Sequence, residues 1–139
     1  MKANEMQIGD YVNYRGQIIK VTSLYDKSGS NEVGWSNKES VWVNADNVEP
    51  ILLTPDILEK NGFVPKFSDG CFTEYLIYKD IVDGLHEMYM RIVYFNTEEK
   101  EHKLECFDCR TGGSQIWIKY IHQLQHALRL CGIEKTIEL

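Results

Sequence analysis

The chain has 139 residues, 43% of them hydrophobic and 26% charged, with a net charge of −6. That size suits one ordinary domain or two small units, and the balance excludes a wholly disordered chain. Lys and Arg number six against nine Asp and Glu through residue 65, and nine against twelve beyond it, so acidity is even and no basic block marks a phosphate-binding surface.

No run reaches the roughly 18 apolar residues of a membrane span. Met1-Lys2-Ala3-Asn4-Glu5 precedes no apolar core of a secretory signal. The expectation is a soluble, cytoplasmic protein whose four cysteines, Cys71, Cys106, Cys109 and Cys131, are thiols.

The N-terminal unit, residues 1–52, reads as β. Tyr11 to Tyr14 is followed by an Arg15-Gly16 turn and a β-branched run from Gln17 to Leu24, with Ile19 and Val21 on one face. Asp26 to Asn37, rich in Ser, Gly and Asn, reads as a loop, and Ser40 to Asn44 as a strand. Short strands with glycine turns predict an SH3-like small β-barrel.

Residues 53–65 carry the three helix-start signals of Thr54 as cap, Pro55 at the first position and the pair Leu53 and Leu58 as staple. They predict a linking helix over Pro55 to Asn61, stopped by Gly62.

Residues 66–139 read as an antiparallel sheet packed against a C-terminal helix, in one continuous domain with the rest or as a second unit. Thr73 to Val82 and Leu85 to Asn96 form a hairpin about Asp83-Gly84, with His86, Met88, Met90, Ile92 and Tyr94 facing inward. Lys103 to Asp108 is a third strand and Gln115 to Ile118 a fourth, after a turn over Arg110 to Ser114. Tyr120 to Cys131 closes the chain as a helix. Its stripe of Ile121, Leu124, Leu128 and Cys131, widened by Ala127 and Leu130, caps the sheet. The fold class is thus α+β.

Three passages together carry a resemblance: Met1 to Glu5 with Ile8-Gly9-Asp10-Tyr11-Val12 and Val21-Thr22; Leu53-Thr54-Pro55 through Asn61-Gly62-Phe63; and Tyr120-Ile121-His122-Gln123-Leu124-Gln125. The pattern resembles a family of uncharacterised proteins from Bacteroidetes genomes and their phages or mobile elements. The resemblance touches both ends and the middle seam. It implies a bacterial or phage setting in the cytoplasm and brings no activity or site residue.

Two constellations bear on function. Cys106-x2-Cys109-x12-His122-x3-His126 has the ligand spacing of a C2H2 zinc site. Against zinc, the interior aromatic and leucine of such a finger fall on Gly113 and Lys119, and Ile116-Trp117-Ile118 prefers a strand where the finger helix begins. The favoured reading makes Cys106 half-buried, Cys109 a turn residue and the two histidines rim residues of the helix stripe, with no cofactor. The second constellation, Gly9-x2-Val12-x3-Gly16-x4-Val21, resembles the spacing of KOW and related SH3-like modules. There Tyr11, Tyr14, Tyr25, Trp35 and Trp42 either stack nucleic-acid bases or form the barrel's core and rim. No phosphate loop or nucleophile elbow is present, and Arg110-Thr111-Gly112-Gly113-Ser114 lacks the Walker lysine. The expectation is a non-enzymatic binding or accessory protein acting through protein–protein contacts, with a nucleic-acid-binding module or a zinc-stabilised domain as the alternatives.

Overall fold

A computed structural model describes residues 1–27, 30–35, 41–82, 86–97, 101–108, 112–133 and 135–139. The chain is α+β and divides into two compact units, Met1–Leu52 with Tyr120–Thr136 and Leu53–Lys119 with Ile137–Leu139. The chain leaves the first unit at Leu52 and returns to it at Tyr120. The helix expected to belong with residues 66–139 is therefore grouped with the N-terminal strands.

In the first unit, β1 (Tyr11–Tyr14) and β2 (Gln17–Lys20) form a tight antiparallel hairpin. Its two turn residues, Arg15 and Gly16, have φ of 51° and 83°, the left-handed pair that matches strand twist, and the Asn13 side chain accepts from the Gly16 N–H at 2.8 Å. β3 (Ser23–Lys27), β4 (Ser30–Trp35) and β5 (Val41–Asn44) make a second antiparallel sheet. A single-turn 3-10 helix, Ala45–Asn47, leads to β6 (Glu49–Pro50), which pairs back with β1.

Three expectations need correction here. The run Gln17 to Leu24 is two strands, because Val21 and Thr22 turn their amides to the carbonyls of Asp10 and Gly34. Ser30–Trp35 is a strand where a loop is expected: its polar residues disguise Val33, wholly buried, and Trp35, which meets the Tyr14 ring at 5.1 Å. The described strands form two three-stranded sheets, ordered β2-β1-β6 and β3-β4-β5, and not a closed barrel. Ala3, Met6, Val12, Ile19, Val21, Val33, Ala45 and Val48 are the buried core between them. Each large aliphatic side chain buried there is worth about 1.5–3 kcal/mol.

α2 (Ile121–Leu130) completes this unit. The Gln123 side chain reaches back to the Tyr120 N–H at 3.1 Å, and the Ile121 N–H donates to the Ile51 carbonyl. Ile121, Leu124 and Leu128 are fully buried and Ala127 nearly so. Cys131 ends the helix as an exposed cap, and Leu130 is 86% exposed, so neither belongs to the stripe. His122 and Gln125 are buried in their place.

The second unit opens with α1 (Pro55–Lys60), whose cap Thr54 accepts from the Ile57 N–H. Leu53 and Leu58 are buried, as the staple requires. A five-stranded antiparallel sheet follows, ordered β11-β10-β9-β8-β7: β7 (Val64–Ser68), β8 (Phe72–Val82), β9 (His86–Phe95), β10 (His102–Asp108) and β11 (Gly112–Ile118). β7 is not anticipated from the sequence, where the linker extends through Pro65. β11 starts at Gly112, so part of the expected glycine turn is strand. The expected Asp83-Gly84 turn lies outside the described residues, as do the side chains of His86 and Met88. The last residues return to α1, where the Asn61 side chain donates to the carbonyls of Ile57 and Glu138 and accepts from the Glu138 N–H at 2.7 Å.

The sheet's two faces differ. Tyr75, Met90, Ile92, Leu104, His102 and Ile118 share a buried face. The other carries Phe67, Glu74, Phe72, Arg91, Phe95, Lys103, Glu105 and Trp117. Among the described residues, no helix is long and apolar enough to cross a membrane.

Candidate functional site

Two places concentrate chemistry. The first lies in the N-terminal unit, where α2 grips the segment Gln7 to Tyr11. Asp10 is fully buried and its carboxylate is saturated. Oδ2 accepts from the Gln7 N–H and from His126 Nε2, both at 2.7 Å, and Oδ1 accepts from Arg129 Nη1 at 3.2 Å. Arg129 also donates to the Gln7 side chain at 2.8 Å. The Gln125 amide spans the Gly9 carbonyl and the Tyr11 N–H at 3.4 Å each. Gly9 suits this approach, because its φ is +95° and a side chain there would stand 3.2 Å from the Arg129 guanidinium. Because a carboxylate only accepts, His126 Nε2 carries a proton.

His122 stands one turn earlier, its ring stacked on Tyr120 and edge-on to His126. It is 5% exposed and its Nδ1 is buried without a hydrogen-bond partner. Burial pushes its pKa below the ordinary histidine value; Asp10 and Glu5 pull upward while His126 pushes further down. These residues border a cavity of about 650 Å³ lined also by Met1, Asn4, Met6 and Gln123. Tyr120 brings a phenolic hydroxyl to its lining. A second cavity, of about 510 Å³ in the same unit, brings Lys20, Arg129 and Lys135 together with Tyr11.

The second place is the half-exposed face of the sheet. Phe67, Phe72, Phe95 and Trp117 come from β7, β8, β9 and β11 and touch in sequence, with ring centroids 5.6, 6.1 and 5.8 Å apart. Phe67 is 51% and Trp117 59% exposed. Beside the row runs a charge ladder. Arg91 bonds Glu74 and Glu105, and Lys103 bonds Glu105 at 2.6 Å. Glu105 is held below the usual carboxylate range by Lys103 and Arg91, which outweigh its burial. Positive and negative charges balance along this ladder.

The proposed zinc ligands divide between these regions. Cys106 lies on β10 in the second unit, while His122 and His126 lie on α2 in the first. Cys109 is outside the described residues. Among the described residues, no three His, Cys, Asp or Glu side chains are gathered to hold a metal, and His126 Nε2 is already engaged by Asp10. Cys71, Cys106 and Cys131 carry thiols. Of the proposed stacking residues, Tyr14 and Trp35 pack on the core, whereas Tyr25 and Trp42 are exposed at 44% and 43%. Asp10 and Arg129 escape sequence reading because His126 meets Asp10 across 116 residues. The aromatic row escapes it because its members come from four strands, one of them unrecognised.

Compared with models of protein families, with curated proteins and with solved structures, the chain matches none.

Proposed function

We propose that this chain is a non-enzymatic binding protein, of bacterial or phage origin, that works through protein–protein contacts made by the aromatic face of its second unit. The observation that carries the reading is the Phe67–Phe72–Phe95–Trp117 row. A sheet face normally hides such rings, and exposed aromatic side chains supply large contact area at small entropic cost. The balanced ladder of Glu74, Arg91, Lys103 and Glu105 gives no net attraction for a polyanion, which favours an apolar protein surface as partner. The N-terminal unit is read as an SH3-like scaffold. Its strand order, with a 3-10 turn before a last strand that pairs with the first, supports that finer assignment.

The test is affinity capture with wild-type chain, Phe67→Ser, Trp117→Ser and the control Ile18→Ser, an exposed position in the other unit. The reading expects a species retained by wild type and Ile18→Ser and lost with both sheet variants. Equal retention by all four removes it.

A second reading, nucleic-acid binding through the N-terminal unit, is favoured by the cavity that joins Lys20, Arg129, Lys135 and Tyr11. It expects a gel shift that weakens with salt and with Lys20→Glu; no shift at low salt ends it.

A further inference from the structure

The two edges of the five-stranded sheet are built differently. β7 is guarded: it is five residues long, contains Pro65 and Lys66, and carries a bulge between Pro65 and Phe67. These are devices by which proteins keep an edge from pairing. β11 has none of them. Gly112-Gly113-Ser114-Gln115-Ile116-Trp117-Ile118 contains no proline and no charge, and it follows β10 without a register shift from His102↔Ile118 to Asp108↔Gly112. Six of its seven residues are exposed, Ile116 by 49% and Trp117 by 59%. Among the described residues, an uncharged edge of about 20 Å from Gly113 to Ile118 therefore presents its outward amides and carbonyls to solvent.

We propose that β11 pairs with β11 of a second copy, antiparallel about a two-fold axis at Gln115, so that two five-stranded sheets join into one of ten strands. This interface shares Trp117 with the aromatic face proposed above but does not depend on that reading. The sequence of the strand selects the occupant. Antiparallel self-pairing centred on Gln115 sets Trp117 opposite Gly113 and Ile116 opposite Ser114, so each large side chain meets a small one. The Phe107 ring already covers Gly113, 3.2 Å from where a Cβ would stand, so the incoming indole meets a small residue backed by an aromatic ring. An isologous interface requires this self-complementarity, in which each residue meets its partner twice. The chain's net charge of −6 opposes association in general, yet the strand itself brings no like charges together.

The test is sedimentation equilibrium of the full chain over a range of concentrations, with Gln115→Lys and Gln115→Glu measured alone and mixed in equal amounts. Gln115 is exposed, so both variants are expected to keep the wild-type circular dichroism spectrum. Wild type is expected to approach twice the 16.2 kDa chain mass. Each variant alone places like charges face to face and weakens the dimer about fivefold; the mixture places Lys against Glu and restores it. Phe67→Ser leaves the dimer unchanged, so failure of the aromatic-face reading does not disturb this one. A wild-type chain that stays monomeric overturns the proposal and points to a foreign extended strand or to none. A dimer that both charged variants leave intact overturns it, as does a mixture no tighter than its components.

Discussion

His102 sits on β10 with no exposed surface, its ring stacked on Tyr94 at 3.8 Å between centroids. The Phe95 N–H donates to its Nδ1 at 3.2 Å, so the lone pair is on Nδ1 and the proton of the neutral ring is on Nε2. Nε2 is buried without a hydrogen-bond partner. A second proton would have to enter at Nδ1, where it meets the Phe95 N–H, and would place a charge inside the sheet's buried face. Burial accordingly lowers its pKa from 6.5 to about 4. Above pH 6.5 neither folded nor unfolded chain holds this proton. Between pH 6.5 and 4 the unfolded chain takes it up and the folded chain does not, so stability falls as pH falls. At about 1.4 kcal/mol per pH unit the loss approaches 3 kcal/mol by pH 4. His122 shifts in the same direction, and a control must separate the two. His102→Asn provides it, since the Asn oxygen can still accept from Phe95. Urea unfolding of both chains at pH 7, 6, 5 and 4 should show the wild-type advantage over His102→Asn shrinking by about 3 kcal/mol across the range. An NMR titration of the histidine ring protons should show one ring with a midpoint near 4 that vanishes in His102→Asn. Parallel pH profiles for the two chains, or a His102 midpoint near 6.5, would refute the burial argument.

Other outcomes follow from the same contacts. Asp10→Ala leaves His126 and Arg129 without their shared acceptor and should cost about 3 kcal/mol in denaturant unfolding, whereas Ile18→Ser should cost under about 0.5. Asn61→Ala removes three side-chain hydrogen bonds, two of which tie Glu138 to α1, and should cost about 1–3 kcal/mol, with faster amide exchange in residues 137–139. Leu124→Ala opens a cavity under α2 worth about 2–5 kcal/mol, while Leu130→Ala, on the exposed side of the last turn, should be within about 0.5. Read by thermal melting, the Leu124 loss should exceed the Leu130 loss several-fold.

What the sequence disclosed was what local physics governs. Thr54, Pro55 and the Leu53–Leu58 staple mark α1 within one residue of its observed end, and the spacing of Ile121, Leu124 and Leu128 marks α2. The alternation of Met90, Ile92 and Tyr94 identifies the buried side of β9. What it hid depends on partners far along the chain. Ser30–Trp35 looks like a loop until Ser23–Lys27 and Val41–Asn44 flank it. Val64–Ser68 is a strand because β8 pairs with it despite Pro65. α2 follows the sheet in sequence, yet Asp10 and Gln7 draw its polar face into the first unit. His122 and His126 stand out at i and i+4, but their environment is set largely by Asp10 and Glu5, which the helix sequence does not announce.

Site-specific photocrosslinking at Phe67 probes the proposed protein-binding role of the sheet's aromatic face without relying on a stable complex. With a photoreactive phenylalanine analogue in place of Phe67, illumination in lysate of the source cell should give one discrete adduct to a different polypeptide, absent when the analogue replaces Ile18. No adduct at Phe67, or the same adducts in equal yield from both positions, would contradict the account.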